Sequence, residues 1–137
     1  MFELARPVRW SDVDAAGIVY FPRFLEYCHD AIEALFGELD GGYAYLTMKR
    51  KIGVPSVHLE VNFKAPLRYG DVCRVRVTVE KIGRSSVSFR HLLVREEDET
   101  LCCEVRQVVV VSDLVAIKGT VIPDDVLAVL ERHRAGA

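Results

Sequence analysis

Residues 22–37 read PRFLEYCHDAIEALFG. Their apolar residues recur at the i, i+1, i+4, i+7, i+8, i+11, i+12 spacing of one stripe along an α-helix. The stripe consists of Phe24, Leu25, Cys28, Ala31, Ile32, Leu35 and Phe36. Pro22 suits the first turn of a helix, where its missing N–H costs nothing, and Gly37 suits a left-handed cap. The stretch therefore predicts one long amphipathic helix.

The hydrophobic period changes from that of a helix to that of a strand outside this stretch. Strands are predicted over residues 2–10, 57–64, 73–80, 86–95 and 100–112. One face of the first strand is expected to hold Phe2, Leu4, Val8 and Trp10. The last strand is apolar on both sides near its end, which indicates a central position. Short helices are predicted over residues 43–48 and from Pro123 onward.

A succession of antiparallel strands with one long helix on a face is typical of an α+β fold. The chain has 137 residues, of which 50% are hydrophobic and 28% are charged. This length and composition fit one globular domain, which we expect to span residues 1–137.

Charge and hydropathy exclude several classes of partner. The net charge is −2, and the longest basic run is Lys49-Arg50-Lys51, so the chain lacks the footprint of a nucleic-acid-binding protein. No apolar stretch approaches the ~18 residues needed to cross a bilayer. The first residues show no basic-then-apolar signal segment. We therefore expect a cytoplasmic protein with neither a nucleic-acid nor a membrane partner.

The cysteines and histidines do not form a recognisable metal or redox motif. Cys28, Cys73, Cys102 and Cys103 have neither zinc-ligand nor CxxC spacing. Three of them fall at apolar positions, so buried, reduced thiols are expected. The histidines are far apart along the chain, and we predict no metal site. His29 is the most notable of them, because it lies early on the long helix and faces away from its apolar stripe.

The loop before the long helix is unusual because it ends in apolar residues, from Ile18 to Phe21, and begins with two carboxylates, Asp12 and Asp14. A helix N-terminus offers unpaired N–H groups that can hold an oxyanion. A carboxylate beside such groups could attack an activated carbonyl. An ordinary turn, with Asp12 as an Asx cap and the apolar residues as a staple, explains the same pattern.

The block Asp12-Val13-Asp14-Ala15-Ala16-Gly17-Ile18-Val19-Tyr20-Phe21-Pro22-Arg23-Phe24 resembles the signature of the 4-hydroxybenzoyl-CoA thioesterase family of hotdog-fold proteins. The resemblance continues through residues 53–57, 62–63, 65–71 and 83–89, and it covers about the first 112 residues. It implies a five- or six-stranded antiparallel sheet wrapped around one long helix. It also implies dimers joined sheet edge to sheet edge, further pairing into tetramers, and an active site at the dimer interface.

The resemblance further implies hydrolysis of an acyl-CoA thioester to the free acid and coenzyme A. Asp14 matches the catalytic carboxylate of the family and would act as nucleophile or as general base on water. Backbone N–H groups near Phe21 would polarise the thioester carbonyl, and Gly17 would permit close backbone approach. An apolar, aromatic-rich pocket that suits a small aromatic or short-to-medium-chain acyl group would be formed by Tyr20, Phe21, Phe24 and Tyr27, although core packing would explain the same residues.

Four more residues are implicated by the resemblance. Ser56 falls in the segment that reaches the site from the neighbouring subunit, and an ordinary hydroxyl at a strand start explains it equally well. Arg84, Ser85 and Ser86 match a region that contacts the nucleotide of coenzyme A, where Arg84 would meet phosphate. A solvated hairpin arginine is the alternative, since Gly83 stands where some relatives carry another arginine. No metal or organic cofactor is implied, because coenzyme A is part of the substrate.

Two other functions remain open at this point. A hotdog dehydratase or hydratase acting on acyl carriers would need a histidine paired with an acid near the helix, and only His29 could serve. A non-catalytic protein could bind acyl-CoA without turnover. Substitution of His29 separates the first alternative from a thioesterase.

Overall fold

The computed structural model describes residues 1–136. Its strands are β1 (Phe2–Pro7), β2 (Ile52–Gly53), β3 (Ser56–Phe63), β4 (Val72–Ile82), β5 (Ser86–Arg95), β6 (Thr100–Val110), β7 (Ser112–Asp113) and β8 (Lys118–Gly119). Its α-helices are α1 (Arg23–Phe36), α2 (Gly42–Met48) and α3 (Asp124–Arg132), and a 3₁₀ turn covers Trp10–Asp12. None of these helices has the length and apolar content to cross a membrane.

The main sheet has five antiparallel strands in the order β1-β4-β5-β6-β3, and α1 lies across one face of it. The α+β prediction of such a sheet wrapped around one long helix is therefore confirmed. The predicted central position of β6 is also confirmed, because it pairs with β5 on one side and β3 on the other. The short β2, β7 and β8 form a separate small sheet that the sequence did not predict.

The core lies between α1 and the inner face of the sheet. From α1 it contains Phe24, Tyr27, Cys28, Ala31, Ile32, Leu35 and Phe36. Tyr27 is fully buried, whereas Leu25 of the predicted stripe is only partly buried. From the sheet the core contains alternate residues of β4, β5 and β6, among them Val75, Phe89 and Val105. All four cysteines are buried free thiols, as predicted.

Two details of the prediction are wrong. Trp10 does not continue the buried face of β1, because the chain turns into the 3₁₀ turn and leaves this side chain 74% exposed against Tyr69. Gly37 is not a left-handed cap, because its φ is −61°. The chain instead continues in right-handed turns, which bring Leu39 back into the core.

The strand β3 forms one edge of the main sheet, and most of its residues are exposed. Val57, Leu59 and Phe63 are 61%, 43% and 54% exposed, although β3 is antiparallel to a central strand. An apolar sheet edge of this kind is a surface that pairs readily with another strand.

Candidate active site

The two aspartates of the loop before α1 have different surroundings. Asp12 is 2% exposed and accepts hydrogen bonds from the backbone N–H of Arg9 at 2.9 Å and from the hydroxyl of Tyr27 at 2.7 Å. The Arg6 guanidinium lies 3.5 Å from the same carboxylate. Burial alone would raise the pKa of Asp12, but these donors and Arg6 hold the pKa below its usual value. Asp12 is a structural anchor that fixes the loop to α1.

Asp14 is exposed and forms the turn that the sequence had suggested for Asp12. Its Oδ1 accepts a hydrogen bond from the Ala16 N–H at 2.9 Å, and its carbonyl accepts one from the Gly17 N–H at 2.9 Å. Gly17 has a φ of +77°, a conformation that favours glycine. Within residues 1–136, the second carboxylate oxygen of Asp14 has no hydrogen-bond partner. It is free to bind a water molecule or a substrate.

A free backbone donor lies at the start of α1. The N–H groups of Arg23, Phe24 and Leu25 each bond to the carbonyl three residues earlier, at 2.8, 3.3 and 3.1 Å. Pro22 has no N–H to offer. In the part of the chain that the structure describes, the Phe21 N–H takes part in none of the hydrogen bonds. It is therefore available to a ligand oxygen.

An apolar cavity of about 450 Å³ opens beside this donor. It is lined by Ile18, Val19, Phe21, Phe24, Phe63, Lys64, Ala65 and Pro66. The ring of Phe63 packs edge-on against Phe21 and Phe24, with centroids 6.3 and 5.6 Å apart. The Asp14 N–H bonds to the Ile18 carbonyl at 3.0 Å, so the carboxylate-bearing turn adjoins the cavity wall. The volume is that of a small-molecule site.

The remaining predicted site residues lie at the opposite end of the sheet. Ser56 pairs with Val109 and Ser86 pairs with Val110, whereas Phe63, at the apolar cavity, pairs with Cys103. At about 3.3 Å per residue, the eight residues of β3 separate its two ends by about 23 Å. The structure thus forms one group from Asp14, Gly17, Tyr20 and Phe21 and a second group from Ser56, Arg84, Ser85 and Ser86. It does not join the two groups within one chain.

The turn that carries Arg84 is held by its backbone. The carbonyl of Arg84 accepts a hydrogen bond from the Ile122 N–H at 3.1 Å, and that of Ser85 accepts one from the Val111 N–H at 2.7 Å. Among residues 1–136, no carboxylate lies within ion-pair distance of the Arg84 guanidinium. The side chain is exposed. Its charge is therefore open to an anionic ligand.

The sequence did not predict the series of hydrogen bonds that links Ser56 to two residues on the inner face of the sheet, Gln107 and His91. Gln107 Nε2 donates to Ser56 Oγ at 2.7 Å, and Gln107 Oε1 lies 2.8 Å from His91 Nε2. His91 and Gln107 are 16 residues apart and on different strands, so no short motif joins them. The sequence did contain one indication of their importance, because each is a polar residue at an otherwise apolar, inward-facing position of its strand.

The chain resembles known thioesterases in both sequence and structure. A profile of the thioesterase-like superfamily matches residues 8–130. A 1,4-dihydroxy-2-naphthoyl-CoA hydrolase of Synechococcus sp. (strain CC9605) is 35% identical over 89 residues, which cover 61% of this chain and 60% of that protein. The chain thus spans about three-fifths of the length of this curated relative, and two similar Synechococcus hydrolases are covered to 62%.

Two solved structures share the fold over nearly the whole chain. A 1,4-dihydroxy-2-naphthoyl-CoA thioesterase from Synechocystis has a TM-score of 0.85 at 25% identity and covers 94% of each chain. A gentisyl-coenzyme A thioesterase has a TM-score of 0.82 at 25% identity and covers 91% of this chain and 98% of its own. These names support the superfamily and not the 4-hydroxybenzoyl-CoA branch in particular. With a profile that runs from residue 8 to residue 130, the chain belongs to the thioesterase-like superfamily.

Proposed function

We propose that this protein is an acyl-CoA thioesterase that hydrolyses the thioester of an aromatic or short-to-medium-chain acyl group. One observation carries the proposal: the exposed carboxylate of Asp14 stands on a turn that is hydrogen-bonded to Ile18 of the cavity wall, and the free N–H belongs to Phe21, which lines the same apolar cavity of about 450 Å³. A base or nucleophile, an oxyanion donor and an acyl pocket are the parts that acyl transfer requires. The names of the relatives, all thioester hydrolases, support the same reaction.

The reaction would begin with the thioester carbonyl oxygen accepting a hydrogen bond from the Phe21 N–H. Asp14, as general base, would take a proton from water while the water oxygen attacks the carbonyl carbon. The negative charge of the tetrahedral intermediate would be held by the Phe21 N–H. Collapse breaks the C–S bond, and the CoA thiolate takes the proton from Asp14. As a nucleophile, Asp14 would instead form an acyl anhydride that water then hydrolyses.

A second copy of the chain would complete this site. The exposed edge of β3 can pair antiparallel with β3 of a partner and extend the sheet from five strands to ten. Two-fold pairing places the Ser56 end of one β3 beside the Phe63 end of the other. The separation of about 23 Å within one chain would thereby be removed, since Ser56 and Arg84 would face Asp14 of the partner. We propose a dimer of this form, with further pairing to a tetramer.

The acyl and nucleotide ends of the substrate would occupy different regions of this dimer. Aromatic side chains and Val19 line the cavity, which suits an aromatic acyl group, and the relatives named for dihydroxynaphthoyl and gentisyl thioesters support that class. At the other end, the unpaired Arg84 would bind a phosphate of coenzyme A, with Ser85 and Ser86 beside it. Coenzyme A is substrate here, and no resident cofactor is proposed.

Thiol release from benzoyl-, hydroxybenzoyl-, 1,4-dihydroxy-2-naphthoyl- and straight-chain acyl-CoAs tests the proposal directly. Asp14→Asn keeps an oxygen to cap the Ala16 N–H and removes the charge, so the variant should fold and lose at least 100-fold in kcat/KM, as expected for a missing acid–base group (about 10²-fold or more). Asp40→Asn, in an exposed turn, is the matched control and should retain full activity. An active Asp14→Asn enzyme would contradict the assignment of Asp14.

His29 provides the test of the dehydratase alternative. It is exposed on α1 and borders two cavities, one with Arg6 and Asp30 and one with Ser56. A hydratase should lose its activity in His29→Ala, whereas a thioesterase that uses Asp14 should largely keep thiol release from straight-chain acyl-CoAs, which place no ring beside His29. Binding of acyl-CoA with no release of thiol and no hydration would indicate a binding protein.

A further inference from the structure

Two polar side chains lie on the inner, helix-facing side of the main sheet, His91 on β5 and Gln107 on β6. The positions around them on the same face are held by buried apolar residues: Phe89, Leu93, Val105 and Val109. The His91 side chain is 0% exposed. Polar groups in such a place are costly unless they are hydrogen-bonded, so their bonding pattern carries information.

The hydrogen bonds of these residues run from the core to the edge of the sheet. His91 Nε2 is 2.8 Å from Gln107 Oε1, and Gln107 Nε2 is 2.7 Å from Ser56 Oγ. The other ring nitrogen, His91 Nδ1, is buried and has no hydrogen-bond partner within residues 1–136. This series of hydrogen bonds therefore ends in the core at His91, and its other end, Ser56, lies at the edge of the sheet.

The unpartnered nitrogen fixes the direction of the hydrogen bonds. Burial lowers the pKa of His91 to about 4, so the ring is neutral and has a proton on only one nitrogen. A proton on Nδ1 would leave an N–H donor unbonded in the core, which is rarer and costlier than an unpaired acceptor. The proton therefore belongs on Nε2, which donates to Gln107 Oε1. The amide nitrogen of Gln107 must then donate to Ser56 Oγ.

The hydroxyl of Ser56 accepts from Gln107 and keeps its own hydrogen available. Ser56 borders a cavity of about 140 Å³, together with Leu25, Cys28, His29, Leu59 and Gln107. A cavity of about 150 Å³ is large enough for one benzene ring. The cavity is thus of ring size, has apolar walls on one side and presents a hydroxyl donor.

In the proposed dimer the Ser56 end of one β3 lies beside the Phe63 end of the other, so this cavity adjoins the partner's apolar cavity of about 450 Å³. The geometry points to Ser56 as a hydrogen-bond donor to an oxygen substituent on the ring of an acyl group that extends from the one cavity into the other, with Gln107 and His91 as positioning residues that fix the direction of the hydrogen bond. The inference rests on the proposed thioesterase function and deepens it, because it names the substrate class. The enzyme selects oxygenated aromatic acyl groups over the unsubstituted ring. A site built to bond a substrate oxygen discriminates strongly against the analogue that lacks it.

The first test needs no substrate and therefore separates this inference from the proposed function. The ¹⁵N spectrum of the histidines in the intact protein at pH 7 reports which nitrogen of each ring carries the proton, and His91→Phe identifies the His91 signals. The expected result is a neutral ring with its proton on Nε2. A proton on Nδ1 would reverse the direction of both hydrogen bonds, so that Ser56 donates to Gln107, and would overturn the inference.

The second test compares kcat/KM for 4-hydroxybenzoyl- and 2,5-dihydroxybenzoyl-CoA with kcat/KM for benzoyl-CoA. In wild type, kcat/KM for whichever of the two oxygenated substrates reacts faster should exceed kcat/KM for benzoyl-CoA by about tenfold, the effect of one hydrogen bond. Ser56→Ala should bring that ratio close to one, and Ser56→Thr should restore it. Gln107→Glu has the same shape but only accepts, so Ser56 must donate to it, and the ratio should fall as in Ser56→Ala.

The double variant Ser56→Ala/Gln107→Glu decides whether the two residues act as one unit. Its ratio should equal that of either single variant, since both changes remove the same hydrogen bond. Equal losses for all three substrates would indicate a structural role and overturn the inference, as would an unchanged ratio in Gln107→Glu. If wild type hydrolyses none of the thioesters, the proposed function fails. The ¹⁵N measurement of the His91 proton still determines the direction of the hydrogen bonds from His91 to Ser56.

Discussion

Asp12 anchors the loop before α1, and the hydroxyl of Tyr27 is the part of this anchor whose removal disturbs the structure least. It is fully buried and donates to the Asp12 carboxylate at 2.7 Å. A hydrogen bond from a neutral donor to a charged acceptor contributes about 1.5–3 kcal/mol, and the 2% exposure of Asp12 keeps water from replacing it. We expect Tyr27→Phe to lower the free energy of unfolding by about 2 kcal/mol at pH 7.

The effect should depend on pH with a defined sign. The folded pKa of Asp12 lies below its ordinary value of 3.8, so the stability linked to this carboxylate is present above about pH 4 and is lost as the pH falls through the folded pKa. The loss caused by Tyr27→Phe should therefore be largest at pH 7 and shrink towards pH 3. Urea unfolding of wild type and variant at several pH values measures it.

Tyr43→Phe is the matched control. This tyrosine is partly buried, stacks on Phe36 and shows no side-chain hydrogen bond within residues 1–136. Its substitution should change stability by less than about 0.5 kcal/mol at any pH. A Tyr27→Phe loss that is equal at pH 7 and pH 3, or one that is no larger than that of Tyr43→Phe, would refute the anchoring role of Asp12.

Three further predictions concern the surface and the core. Leu59→Arg places like charges on the exposed β3 edges that meet in the proposed dimer, so light scattering should show monomers, and thiol release should be lost. Val115→Arg, in the loop before β8 where Val115 is 77% exposed, is the control and should change neither the molecular mass nor the activity. Arg84→Ala should raise KM for acyl-CoA with little change in kcat, and the KM of wild type should rise with salt. The four cysteines should react with a thiol reagent only after unfolding, because they are buried and burial raises the pKa of Cys73 and Cys103 to about 12.

The helices and strands that could be predicted from the sequence are those long enough to show a hydrophobic period of their own. The stripe from Phe24 to Phe36 defined α1, and strict alternation defined β4, because each repeats over several turns or pleats. The strands β2, β7 and β8 have two residues each, which is too short for any period to be visible. Trp10 was misplaced because the Asp12 carboxylate, which caps the 3₁₀ turn through the Arg9 N–H, is held in place by Tyr27, and this tertiary contact leaves no mark in the local pattern.

The same division applies to the site. The turn from Asp14 to Phe21 is local in sequence, so its carboxylate and its position before a helix could be predicted. That the Phe21 N–H stays free within residues 1–136 could not be predicted, because this depends on the hydrogen bonds that Arg23, Phe24 and Leu25 form at the start of α1. The pairing of Gln107 with His91 and Ser56 was also out of reach, because contacts between different strands leave no local pattern.

The two groups of site residues at opposite ends of β3 have a genetic consequence. In the proposed dimer, each catalytic centre draws Asp14 from one polypeptide and Arg84 from the other, so two different defective alleles can complement one another. A chain with Asp14→Asn and a chain with Arg84→Ala would together assemble one intact centre and one doubly defective centre. Random mixing in equal amounts would make about a quarter of all centres intact, so at acyl-CoA concentrations well below the raised KM of Arg84→Ala the mixture would recover about a quarter of wild-type activity.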